Sequence, residues 1–63
     1  MSFFNGNQMK ILRKKLQLNQ EEMGEKLGIK KSYVSQLENN RKEITEEIDQ
    51  ILQELEHHSS HQL

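Results

Sequence analysis

The fold is decided by residues 19–39, NQEEMGEKLGIKKSYVSQLEN, two short helical periods joined through one glycine turn. Asn19 is a strong N-cap, and Glu22 stands three places on, where its side chain reaches back to the cap N–H. Glu21 and Glu22 also favour the positive end of a helix dipole. Met23 and Leu27, at i and i+4, give this helix its buried face, and Gly28 ends it, since a left-handed turn favours a residue without Cβ. Ile29 plugs the turn. A further helix then runs from about Lys31 to Asn39, burying Val34 and Leu37. Gly24 lies inside the first of these helices, where glycine costs ~1 kcal/mol relative to Ala. Either it is merely tolerated or the following helix crosses close above it.

Outward from this pair the pattern stays helical, with no strand alternation and no repeat. Asn5-Gly6-Asn7 reads as a loop, with Asn7 the candidate cap of a first helix. Met9, Leu12 and Leu16 form one stripe of that helix, and Ile11 widens it. Residues 39–42 read as a polar loop, after which Thr45 caps a last helix with Glu46 and Glu47 in its first turn. Ile48, Ile51, Leu52 and Leu55 fall at i, i+3, i+4 and i+7, with Ile44 one turn earlier. The expected architecture is all-α, four helices in one domain over residues 1–55. Residues 56–63 are polar and aperiodic and are expected to be a disordered tail.

Sixty-three residues allow one small domain. Such a chain buries only about 60% of its unfolded surface, so modest stability is expected. It has no Cys, which excludes disulfides and thiolate zinc sites. No apolar run approaches the ~20 residues a membrane helix needs, and the first residues lack the features of a signal peptide. A cytoplasmic protein without membrane attachment is the expectation. The net charge of −1 hides an asymmetry. Nine cations against four acids between Lys10 and Lys42 give +5, whereas six acids and no Lys or Arg from Glu43 onward give −6. The front half suits an anionic partner, although solvated charged faces would produce the same count.

The stretch from Leu18 to Ile29, followed by residues 32–39 (SYVSQLEN), resembles the Cro/C1-type repressors of the XRE family, with the likeness extending over about Met9 to Leu55. Lys31-Ser32-Tyr33 is similar to the Gram-positive, SinR-like branch, and small phage repressors share this size. The resemblance implies a lambda-repressor-like helix-turn-helix domain that binds double-stranded DNA through the helix from about Lys31 to Asn39.

Roles follow from the same likeness. Lys31, Ser32 and Gln36 match positions that face base edges, and their chemistry agrees: Gln pairs with adenine N6/N7, Lys with guanine O6/N7, and Ser is permissive. Gln20 matches a glutamine that grips a backbone phosphate beside helix-terminal N–H groups. Lys30, Arg41 and Lys42 are candidate phosphate contacts, and Ser35 and Asn39 share the helix face of Ser32 and Gln36. Tyr33 either touches backbone or sugar or is a plain exposed aromatic. Arg13 and Glu38 match a pair that ties the first helix to the end of the third, a structural role.

The chain departs from the family pattern at several points. Gln17 stands where glycine often ends the first helix, Lys30 replaces a Ser or Thr cap, and the Pro often found before the fourth helix is absent. The fifth helix that many relatives use in dimerisation has no counterpart. Dimer contacts are therefore expected on the fourth helix, at Ile44 or Ile51, while Ile48, Leu52 and Leu55 close the core.

A regulator, repressing from a near-palindromic operator as a homodimer, is the leading expectation. An interaction module (antitoxin, antirepressor or partner subunit) working through the acidic fourth helix is the alternative, and the DNA-binding piece of a longer regulator is a third reading. His57 and His61 would stand at i and i+4 on a continued helix, but no acid or Cys completes a metal site. No catalytic constellation is present, so neither enzyme activity, cofactor nor small-molecule ligand is expected.

Overall fold

The computed structural model describes residues 4–60, the side chains of 59 and 60 excepted, and these form four helices. They are α1 (Gly6–Lys15), α2 (Gln20–Leu27), α3 (Lys31–Glu38) and α4 (Glu46–Ser60). Helix α3 packs on α1 and α2, and α4 closes against α2.

Local chemistry sets each boundary. The cap of α1 is Asn5 and not Asn7: its side chain accepts from the Gln8 N–H at 2.8 Å, and Gln8 Oε1 accepts from the Asn5 N–H at 3.1 Å. Asn7 has Lys10 three places on, which offers no acceptor to complete such a box. Asn19 and Glu22 make the same reciprocal pair at α2, with bonds of 2.7 and 2.9 Å. Thr45 Oγ1 accepts from the Ile48 N–H at 3.3 Å and starts α4, as its position suggested. Lys30 precedes α3 with no side-chain cap bond.

Three helices end through a left-handed residue. At Gly28 (φ 72°) the turn is free of strain, and the Ile29 N–H returns to the Gly24 carbonyl at 2.9 Å. Gln17 and Asn40 adopt φ 61° despite their Cβ atoms. Each closes a Schellman motif, with Leu18 N–H on the Arg13 carbonyl at 3.1 Å and Arg41 N–H on that of Gln36 at 2.9 Å. Gly24 is explained by the turn itself. A Cβ there would lie 2.6 Å from the Ile29 carbonyl oxygen, so the close neighbour is turn backbone.

The core comprises Phe4, Met9, Leu12, Met23, Leu27, Val34, Leu37, Ile48 and Leu52. Two placements differ from the sequence reading. Phe4, which precedes a stretch read as loop, is buried, and its N–H donates to Asp49 Oδ1 at 3.0 Å. Asp49 is itself buried and takes the Gln53 amide on its other oxygen at 2.8 Å. Ile11, expected to widen the buried stripe, is 58% exposed. It lies about 100° around the helix from Leu12 and about 200° from Met9, too far from the stripe's centre to reach the core.

Helix α4 also runs five residues past the Leu55 boundary drawn from sequence, through Glu56, His57 and His58 to Ser60. That segment contains neither Gly nor Pro to break the helix, and histidines suit a helix C-terminus. Residues 61–63, including His61, lie outside the described residues. Among the described residues no helix is long and apolar enough to cross a membrane.

Gly6 shows how tightly α1 meets α3. A Cβ at this position would overlap the Leu37 carbonyl oxygen and lie 2.9 Å from that of Glu38. Gly6→Ala is therefore expected to destabilise the domain by about 1–3 kcal/mol, the usual range for overpacking. Gln17→Gly, which relieves a left-handed side chain, is expected to stabilise it by up to ~1 kcal/mol. Thermal melts of both variants check the pair, and a Gly6→Ala protein melting with the parent would contradict the packing described.

Candidate nucleic-acid interface

The residues singled out from sequence for contact with DNA lie at the start of α2, along α3 and in the loops on either side of α3. Lys31 and Ser32 occupy the first turn of α3 and are exposed. Gln36 follows one turn later, half-buried, and its side-chain amide makes no hydrogen bond to another described residue. Ser32, Ser35, Gln36 and Asn39 recur at helical spacing on the face opposite the buried Val34 and Leu37. Asn39 Nδ2 donates to Ser35 Oγ at 3.4 Å, so the polar row is partly linked along the helix.

Cations flank this row at both ends. Lys30 precedes α3, and Arg41 and Lys42 follow it in the loop to α4, all three exposed. The Schellman motif after Glu38 sets the Arg41 backbone directly against the last turn of α3. Lys42 borders a shallow hollow shared with Asn5, Asn40 and Glu46. Tyr33 is half-buried and packs against the core, so part of its ring serves the fold.

Arg13, Glu38 and Gln20 form a single cluster beneath this surface. Arg13 Nε donates to Glu38 Oε2 at 2.7 Å and Arg13 Nη2 to Glu38 Oε1 at 3.2 Å, a bidentate pair. A third donor, Nη1, reaches the Leu18 carbonyl at 2.9 Å. The pair links α1 to the end of α3, as the family likeness implies. Sequence reasoning gave Gln20 a phosphate role but missed its bond within the fold, where its Nε2 also donates to Glu38 Oε1 at 3.3 Å. The side chains of Arg13 and Glu38 are 12% and 2% exposed, so this charge pair is largely removed from water.

Ile44 and Ile51 are half-buried, as is Leu55, and all three pack against the core from α4 and the loop before it. The exposed large apolar side chain among the described residues is instead Ile11. It lines an open groove between α1 and α4 together with Phe4, Gln53, Glu56 and His57. No group of three or more metal-ligating side chains occurs among the described residues.

Two short helices held across a glycine turn, the second offering a polar face flanked by cations, define a helix-turn-helix DNA-binding domain. The helix-turn-helix family model matches residues 9–54, and the chain belongs to that family, of the Cro/C1 (XRE) type. It is accordingly a DNA-binding transcription regulator. No match to a curated protein or to a solved structure was found.

The buried pair sets a stability expectation. Removing one partner strands a charge, so Arg13→Ala should cost about 3–5 kcal/mol, enough to unfold much of so small a domain. Exchanging both partners, Arg13→Met with Glu38→Met, should be near neutral because no charge is stranded. Chemical denaturation of the two proteins distinguishes these cases, and equal losses would contradict the description of Glu38 as a desolvated, paired carboxylate.

Proposed function

We propose that the protein is a sequence-specific repressor that binds a near-palindromic operator as a homodimer. Lys31, Ser32 and Gln36 read base edges, while Gln20, Lys30, Tyr33, Ser35, Asn39, Arg41 and Lys42 contact the sugar-phosphate backbone. The observation that carries this reading is the Gln36 amide, unpaired among the described residues and one turn from Lys31 and Ser32. Both its oxygen and its NH₂ are available for the bidentate contact that adenine offers in the major groove. Occupying a promoter is the simplest regulatory act for a DNA-binding domain, which favours repression. It acts by binding, without catalysis, cofactor or small-molecule effector. Its place of action is the cytoplasm of a bacterial or phage-infected cell, where the target DNA lies.

Readout and grip separate experimentally. After selection of bound sequences from a random duplex library, Gln36→Ala should lose about 1–3 kcal/mol on the selected site and little on a scrambled one. Lys42→Ala should weaken both by a similar factor and lower the slope of log K against log salt by about one. Fluorescence anisotropy at two salt concentrations measures all four cases. Equal losses for Gln36→Ala on both duplexes would remove the base-reading assignment.

Dimerisation is proposed through the half-buried apolar residues of α4 and its preceding loop, Ile44 and Ile51. A symmetric pair would set two recognition helices one helical turn of DNA apart, about 34 Å. Sedimentation on the selected duplex should give two protomers per site, and the selected sequence should be two-fold symmetric. A single protomer on an asymmetric site would overturn the dimer and favour an acidic α4 that meets some other protein.

A further inference from the structure

We infer that Glu38 is a positioning residue for DNA binding: by accepting one N–H of the Gln20 amide it fixes how that amide meets a backbone phosphate. The inference rests on the phosphate role proposed for Gln20. Gln20 is the first residue of α2 and Glu38 the last of α3, so their 3.3 Å bond joins the start of one helix to the end of the other. Both Glu38 oxygens accept from Arg13, so toward Gln20 the carboxylate is an acceptor. The Gln20 side chain therefore has one orientation here, since the reversed amide would set its own oxygen against a carboxylate oxygen. The second Nε2 hydrogen is left to donate to a phosphate, and the register between that contact and the face of α3 becomes fixed.

Charge balance makes the arrangement workable. A bare carboxylate behind a phosphate contact would repel the phosphate. Here two Arg13 donors, at 2.7 and 3.2 Å, offset the Glu38 charge. The Arg13 bond to the Leu18 carbonyl at 2.9 Å holds the guanidinium beside the link leading into α2. Glu38, 2% exposed, needs no contact with DNA to act in this way.

The test is a double-mutant cycle on a mixed-sequence duplex at low salt, where phosphate contacts dominate. In the wild-type background Gln20→Ala should weaken binding about tenfold, the order expected of a hydrogen bond to a charged oxygen. In the Arg13→Met, Glu38→Met background, checked to be folded by circular dichroism, binding should already be weaker by a similar factor. Adding Gln20→Ala there should cost less than about twofold, because the two losses are one and the same. A full tenfold loss in that background would overturn the positioning role while leaving the phosphate contact standing. No loss in the wild-type background would refute the phosphate contact, and the positioning role with it. A reading independent of variant folding comes from the side-chain amide protons of Gln20 in the wild-type chain. On addition of the duplex, the proton facing Glu38 should keep its NMR shift while its partner moves, and equal movement of both would overturn the inference.

Discussion

The orientation of α3 depends on one desolvated carboxylate. Glu38 closes the helix proposed to read DNA, and its side chain is almost sealed from water, so it must find compensating donors or unfold the domain. Those donors come from two other helices: Arg13 from α1 and Gln20 from α2. Apolar contacts among Met9, Leu12, Met23, Val34 and Leu37 supply cohesion without direction. The ion pair supplies direction, because bidentate geometry tolerates little rotation of α3 about its own axis. A helix of eight residues has few other means of fixing its outward face.

A second constraint works at the same end of α3. The left-handed Asn40 turns the chain sharply, and its side-chain oxygen accepts from the Gly6 N–H at 3.2 Å. The start of α1 is thereby seated on the end of α3, and the absence of a Cβ at Gly6 allows that approach. The same turn orients the backbone of Arg41. Further along, Asp49 ties Phe4 to α4, so the N-terminal segment and the last helix lock each other. The N-terminal segment is thereby tied both to the turn after α3 and to α4.

The legible and illegible parts of this design divide along physical lines. Signals set by neighbours in sequence were readable: the Asn19–Glu22 box, the Gly28 turn, the Thr45 cap, and the period of Met23, Leu27, Val34 and Leu37. The Arg13–Glu38 pair, twenty-five residues apart, came only through family likeness, since periodicity does not reveal which distant charges meet. The Gln20–Glu38 bond was hidden because Gln20 already had a role, and one amide can serve two partners. Phe4 and Asp49 escaped because an aromatic before a loop and an acid on an acidic helix have no local mark of burial. At Gln17 the family's preference for glycine was the visible sign of a left-handed position, which this chain fills with a side chain.

A preformed, rigidly supported face on α3 is the central claim, and amide NMR during titration with duplex DNA tests it most directly. The account predicts shifts confined to Gln20, to residues 30–36 and to residues 39–42. The resonances of Ile11, Gln53 and Glu56, on the groove between α1 and α4, should stay in place. Shifts centred on that groove, with residues 31–36 unmoved, would contradict it.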